Sequence, residues 1–520
     1  MKKILKKEFI FYEIISYIFS ICLLLKYEIN YNSNIPKNFI YKFHFNLNFF
    51  IKSFIISIPI LLLLIFLLYL FNKIKIKNKF KLIENKKVFI ISFIGLFITG
   101  LIFLIVYYPG NIFTDTLYIF KSPYGSSSQH PLTYIYFITI PFKVFNKLFK
   151  DINIAIFLTY IIQLLVSSTI ISITITWINK TIKNTLITIL LMIYFILTPI
   201  ITNYNTSLIK DSLFCLLILL NIPVIYETIK SKGKYLNTNK NLIITIIIFT
   251  FTSLVRNNGI YIIILLLLIL LVKYKTIRKK LLITMLIVLS LTTIQNKLSK
   301  KQLFQEKIAV PLQQITYTVY SNGKVSKKDI KYLNKIYKYN SYKENYNPYI
   351  VDSVKWDKDF NRDYLNKTEN KFIKVWFNIL PNNFEGYVKA YLLNTYGNWS
   401  TEEYHPIQGR FLGTNDTIIE NPNLFTDIKT YNNSNKNIKS IYEKTTIYFG
   451  PGICFWILLL VISYIVYKKK YNLIIITIPL LAIWLSLMIA TPFSLAFRYV
   501  SPFMYTLPII ISIVLKECNN

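Results

Sequence analysis

Ionisable side chains are costly at the edge of a bilayer, so those found beside apolar stretches are candidates for chemistry. Asp115 lies in YYPGNIFTDTLYIF, a loop shaped by Pro109 and Gly110. A carboxylate placed there could act as a general base or as a cation ligand. It could equally be a solvated loop carboxylate or a helix cap. His130, between Gln129 and Pro131, closes the same loop and has a catalytic and a structural alternative. Lys210-Asp211 stands in NYNTSLIKDSLF. Either the pair is functional, or Asp211 caps a helix and Lys210 snorkels to the interface. Arg256, in LVRNNGIY, needs an anionic partner: a phosphate head group, or a carboxylate such as Asp115 or Asp211. The following Asn257, Asn258 and Gly259 have the composition of a tight turn. Arg498, in TPFSLAFRYVSPF, has the same two alternatives as Arg256.

The elements that must hold these residues are membrane helices. The chain has 520 residues, of which 54% are hydrophobic, and its mean hydropathy is +0.44. Runs such as Phe54–Phe71, Val88–Tyr107, Ile260–Val272 and Ile453–Tyr467 approach the roughly 20 apolar residues that a bilayer crossing needs. Twelve crossings are expected, near 9–25, 50–71, 88–107, 152–177, 185–202, 212–229, 241–254, 259–273, 280–296, 447–467, 472–490 and 497–516. The basic stretches at 72–87, 230–234, 273–280 and 468–470 fall in short loops between them. The positive-inside rule puts these in the cytoplasm together with the N-terminus. A crossing at 132–149, LTYIYFITIPFKVFNKLF, would turn three of the four outward. That segment, with Pro141, Lys143 and Lys147, is therefore expected to lie at the outer interface or to re-enter.

The domain plan follows. A membrane domain spans 1–296, with its first outer loop at 108–151. A polar extracytoplasmic domain of α or mixed structure spans 297–446, and the final membrane helices span 447–520. Thr426–Lys444 is expected to be a flexible return to the membrane. The N-terminus carries signal-like charges but no small-residue cleavage site, so a retained first helix is expected. The net charge of +36 accompanies a chain saturated with Lys, Asn, Ile and Tyr. No nucleic-acid-binding signature accompanies it, and no nucleic-acid partner is expected. Cys22, Cys215, Cys454 and Cys518 suggest neither a disulfide framework nor a metal site.

Under this topology, Asp115, His130, Lys210, Asp211, Arg256 and Arg498 converge on one membrane face from four loops. Acids beside guanidiniums there suit a lipid-linked anionic substrate: the acid would activate an acceptor and the arginines would hold phosphate.

The ordered set YPGNIFTDT, QHP, KDSLF and RNNGIY resembles the motif order of bacterial GT-C-type membrane glycosyltransferases. It is most similar to an uncharacterised polytopic membrane family grouped near them. PLQQITYTV at 311–319, ENYNPYIVDSVKW at 344–356, YLLNTYGNW at 391–399 and FRYVSP starting at Phe497 extend the resemblance over about 88–505. The resemblance implies an all-α, GT-C-like fold. It also implies sugar transfer from a polyprenyl-phosphate carrier to an envelope glycan or lipid acceptor outside the cell membrane. Asp115 would be the catalytic base, with Asp211 assisting or binding a cation such as Mg or Mn. Arg256, Asn257, Arg498 and Lys210 would bind the donor phosphate region, and His130 would shape the loop. Tyr396 and Trp399, with Glu402 and His405, would recognise the acceptor, although a plain core role suits Trp399 as well. Where many relatives pair two acids in the first loop, Thr114 and Thr116 flank Asp115 alone, which weakens a metal assignment. A transporter or flippase of lipid-linked saccharides, a polymerase or ligase of them, and an envelope scaffold are the rival classes. A transporter should carry inverted repeats and mid-membrane charges, and no repeat is evident in this sequence.

Overall fold

A computed structural model describes residues 5–29, 45–74, 76, 80–121, 130–299, 303–401, 450–490 and 497–519. The chain opens with α1 (Leu5–Ile29), α2 (Leu47–Lys73) and α3 (Asn85–Val106). A short α4 (Thr114–Lys121) and then α5 (Leu132–Phe149) lead into the long α6 (Ile152–Ile182). Next come α7 (Thr185–Leu197), α8 (Pro199–Asn205), α9 (Lys210–Lys230), α10 (Asn239–Val255), α11 (Gly259–Lys273) and α12 (Arg278–Leu298). Residues 303–401 fold into short helices: α13 (Ala309–Tyr320), α14 (Lys327–Ile336), α15 (Tyr339–Glu344), α16 (Asp352–Lys355), α17 (Arg362–Lys367), α18 (Glu369–Ile379), α19 (Phe384–Asn394) and α20 (Tyr396–Trp399). The chain closes with α21 (Pro451–Tyr467), α22 (Ile478–Ile489) and α23 (Phe497–Asn519). No strand occurs among the described residues, so the described part of the domain expected to lie outside, the outer domain, is helical rather than mixed.

Among the described residues eight helical segments are long and apolar enough to cross a membrane: α1, α2, α3, α6, α9, α12, α22 with the 3-10 turn preceding it, and α23. Helices satisfy every backbone donor and acceptor internally, which is why such sequences take this form in lipid. The segment expected as one helix over 185–202 is broken. α7 and α8 meet at a 68° bend, where Pro199 follows Thr198 and cannot continue the ladder. α10, α11 and α21 are shorter apolar helices of 15 to 17 residues.

Contacts sort the loops between two ends of the bundle. At one end Lys468 Nζ meets Asn72 Oδ1 at 2.8 Å, Lys280 Nζ meets the Asn237 carbonyl at 2.9 Å, and the Tyr471 hydroxyl meets Glu8 at 2.9 Å. The Asn179 amide near the end of α6 reaches the Ile83 carbonyl at 2.9 Å, so α6 finishes there too. Near the other end of α6, the Tyr160 hydroxyl donates to the Asn111 carbonyl at 3.0 Å. α6 has 31 residues and is therefore about 46 Å long. α5 starts beside the Asn111 loop and ends where α6 begins, and it is not among the described helices long and apolar enough to cross a membrane. Its buried face, Tyr134, Ile135, Ile138 and Phe142, packs among α6, α10 and α4, while Tyr136, Ile140, Val144 and Leu148 face outward.

The membrane helices share one large core, and the outer domain has its own around Leu312, Tyr342, Leu365 and Phe372. A third cluster joins Leu25, Ile29 and Phe49 of the first two helices to Leu393, Tyr396 and Trp399. It seats the outer domain on the bundle at the end away from the basic loops.

Candidate functional site

The acid of the first loop is positioned by two hydrogen bonds to one carbonyl. Leu208 O, just before α9, accepts from the Thr116 hydroxyl at 2.7 Å and from the Tyr134 hydroxyl at 2.8 Å. α4 and α5 are thus both pinned to the entry of α9. The loop before α4 is fixed from below by the Asn111 amide, which donates to Asn203 of α8 at 2.7 Å. Gly110 lies so close to Tyr160 that a Cβ would stand 2.6 Å from the ring. Gln295 of α12 completes the frame. It accepts from Thr133 N–H at 3.0 Å and donates to the Leu254 carbonyl at 3.0 Å, two residues before Arg256.

These ties bring the predicted residues together. Arg498, in the first turn of α23, bridges both acids: Nη2 lies 3.1 Å from Asp115 Oδ2 and Nε 3.1 Å from Asp211 Oδ2. Arg256, at the C-terminal end of α10, places Nη1 2.9 Å from Asp211 Oδ1. Its guanidinium also lies 5.2 Å from the Phe214 ring and 5.4 Å from the Tyr499 ring. Lys210 Nζ is 3.3 Å from His130 Nδ1. Asp211 does not cap α9: Ile209 holds that position. The carboxylate instead points sideways at two guanidiniums, with no exposure to solvent.

A cavity of about 370 Å³ opens above this cluster. Asp115, His130, Lys210, Arg256, Asn257 and Arg498 all line it, and Asp211 sits behind its wall. The opposite side belongs to the outer domain. Lys355, almost fully buried, holds Asp352 at 2.9 Å and Glu306 at 3.2 Å, and the half-exposed Trp356 stands beside them. The lining therefore carries Lys210, Arg256, Lys355 and Arg498 against Asp115, Glu306 and Asp352. Glu306, Asp352 and Lys355 were not foreseen as site residues. VDSVKW at 351–356 was legible as a motif, but nothing in it said which way it faces.

Burial alone would raise the Asp115 carboxyl, but the Arg498 and Lys210 charges outweigh it and hold it at about 2. Burial and the Lys210 ammonium together push the His130 imidazole down to about 4, so it is neutral at pH 7. For Lys355, burial disfavours the charged form, yet Asp352 and Glu306 reverse this and raise its pKa.

Tyr396 and Trp399 are not in the cavity. Both are buried in the joint between the outer domain and the bundle. Trp456 and Trp484 donate to the Trp399 and Asn398 carbonyls at 2.8 and 2.7 Å, which ties α20 into that packed joint, away from the cavity. Gln129, Glu402, His405 and the return segment Thr426–Lys444 lie outside the described residues. Among the described residues no group of three or more His, Cys, Asp or Glu side chains gathers as a metal site. Guanidiniums already occupy the space between the two aspartates. The donor set does not suit a resident divalent cation.

Fold and site together define a polytopic, all-helical membrane protein with a charged cavity at one end of its helix bundle. The chain belongs to the family of unknown function DUF6020, whose profile matches residues 121–520. The match takes in His130, Lys210, Asp211, Arg256 and Arg498, and begins just after Asp115. No curated protein matches the chain, and no solved structure matches it.

Proposed function

We propose that this chain is a GT-C-type, inverting glycosyltransferase of the cell membrane. It would pass a sugar from a polyprenyl-phosphate carrier to an envelope glycan or lipid. Twelve helices would cross the bilayer, counting the bent pair and the three short apolar helices. The N-terminus and basic loops would be cytoplasmic, and the outer domain extracytoplasmic. The observation that carries this reading is the convergence of Asp115, Lys210, Arg256 and Arg498 in one cavity, from four separated segments, at the end opposite the basic loops.

The geometry divides the labour. Asp115, about a third exposed, is the carboxylate an acceptor can reach. Asp211 is sealed off and acts as a positioning residue, holding both guanidiniums toward the cavity. In transfer, the acceptor hydroxyl would lose its proton to Asp115 while its oxygen bonds to the sugar C1. The bond from C1 to the phosphate oxygen would break, and its electron pair would leave with the carrier phosphate. Arg498, Arg256 and Lys210 would take up that charge. A carboxyl held at about 2 is a weak base at rest. When Arg498 turns from Asp115 to the phosphate, Asp115 loses its nearest cation and its basicity rises. Donor binding would thus switch on the base. On the acceptor side Trp356, with Glu306 and Asp352 beside it, replaces Tyr396 and Trp399 as the sugar-facing surface.

Reconstitution in liposomes with a polyprenyl-phosphate sugar tests the assignment. Wild type should transfer sugar and Asp115→Asn should not. Equal transfer by both would remove Asp115 from catalysis, and lipid reorientation without transfer would favour a flippase. Asn237→Cys should be labelled from the cytoplasmic side only. Labelling from outside would overturn the topology and the function with it.

A further inference from the structure

Apart from the charged cavity, the outer domain carries a second concavity, of about 570 Å³. Two helices wall it. α14 presents Lys328, Lys331 and Lys335, and α18 presents Lys371, Lys374 and Asn378. Both sets step by three and four residues, so each forms a single stripe along its helix. Tyr332 and Tyr364 form the floor, with ring centroids 5.9 Å apart. Lys371 Nζ lies 5.0 Å from the Tyr332 ring and Lys335 Nζ 5.8 Å from the Tyr364 ring. Among the described lining residues Asp329 is the sole carboxylate. It is buried and already accepts from the Ser326 hydroxyl at 2.6 Å.

Five ammonium groups thus face a trough that holds one spent carboxylate. Like charges at Lys331 and Lys335, one helical turn apart, repel, and a concave basic surface concentrates anions. A flat basic face would suit a bilayer. Two lysine rails, with Lys371 and Lys335 lying over the Tyr332 and Tyr364 rings between them, suit an anionic strand lying along the trough. We propose that this groove binds an anionic polysaccharide chain, carboxylated or phosphorylated. That the anion is a glycan rests on the extracytoplasmic placement proposed above; the capacity to bind an anion does not.

The test uses the full-length protein in detergent and fluorescence anisotropy. The probes are labelled oligogalacturonate and a labelled phosphorylated mannan oligosaccharide, with neutral dextran as control. Wild type should bind both anionic probes, more weakly as salt is raised, and ignore dextran. Lys331→Gln/Lys335→Gln/Lys371→Gln should bind about tenfold more weakly, the equivalent of about 1.4 kcal/mol. The control Lys307→Gln/Lys338→Gln/Lys358→Gln, on lysines of the same domain that do not line the groove, should bind as wild type does. Asp115→Asn should also keep full affinity, so a failure of the transfer reaction and a failure of the groove are separable. Equal binding by the groove variant, or an equal loss in the control, would overturn the proposal. So would stronger binding to single-stranded DNA or to anionic vesicles than to either glycan.

Discussion

Neutralising the two aspartates one at a time should separate stability from chemistry. Asp211 has no solvent exposure and meets Arg256 at 2.9 Å and Arg498 at 3.1 Å. Removing one partner of a buried ion pair costs about 3–5 kcal/mol, because the remaining charge stays buried. Asp211→Asn belongs near the lower end, about 3 kcal/mol, since Arg498 keeps Asp115 and Arg256 keeps two aromatic faces. The Asp115–Arg498 pair is about one-third exposed on each side, so water screens it and Asp115→Asn should cost about 1 kcal/mol or less. For a chain of this size 1 kcal/mol shifts Tm by roughly 1–2 °C, extrapolating the inverse dependence on length. Tryptophan fluorescence melts in detergent should therefore show Asp211→Asn lower by roughly 3–6 °C, and Asp115→Asn within about 2 °C of wild type. Sugar transfer should follow the opposite order of specificity: lost in folded Asp115→Asn, and reduced in Asp211→Asn in step with misplaced arginines. Arg256→Gln added to Asp211→Asn should restore part of the lost stability, since it removes the stranded charge. If Asp211→Asn melts with wild type, or Asp115→Asn falls as far as Asp211→Asn, the division between a buried positioning acid and an accessible reacting acid is wrong.

Three further outcomes follow from the same geometry. The folded protein holds His130 neutral down to about pH 4, while the unfolded chain titrates it near 6.5. Stability from this residue is thus present above about pH 6.5 and lost as pH falls toward 4; His130→Gln should show a shallower decline of Tm over that window, and an unchanged slope would exclude it as the titrating group. Gly259→Ala would drive its Cβ to 2.0 Å from the Thr252 carbonyl oxygen, so size-exclusion chromatography should show little folded protein, whereas Asn257→Ala, on the exposed turn, should purify normally. Lys355→Met should leave Glu306 and Asp352 facing each other without their shared cation and lower stability by about 2–3 kcal/mol, visible as faster limited proteolysis between 303 and 401; a wild-type digestion rate would count against that cation as the tie between the two acids.

The sequence carried the charge sorting because two of its signals are independent of packing. Hydropathy marks where lipid must be, and lysine-rich loops mark one side. Together they put 132–149 off the crossing path, and α5 is not among the described helices long and apolar enough to cross a membrane. The bend at Thr198–Pro199 was also written in the chain, in a proline that an apolar average smoothed over. What hydropathy cannot report is which wall a polar residue of the outer domain joins. Trp399 and Tyr396 stand out in sequence, yet aromatic mass is as useful in a joint as on a sugar platform, and α20 uses both for the joint. Lys355 looks like one lysine among many. Its meaning comes from Glu306, far away in sequence, and from Asp352 one turn before it. The roles of the two aspartates were likewise hidden, since residue type says nothing of exposure. Asp211 lies behind two arginines and Asp115 in front of one, and on the proposed reading that difference in depth makes the first a brace and the second the reacting acid.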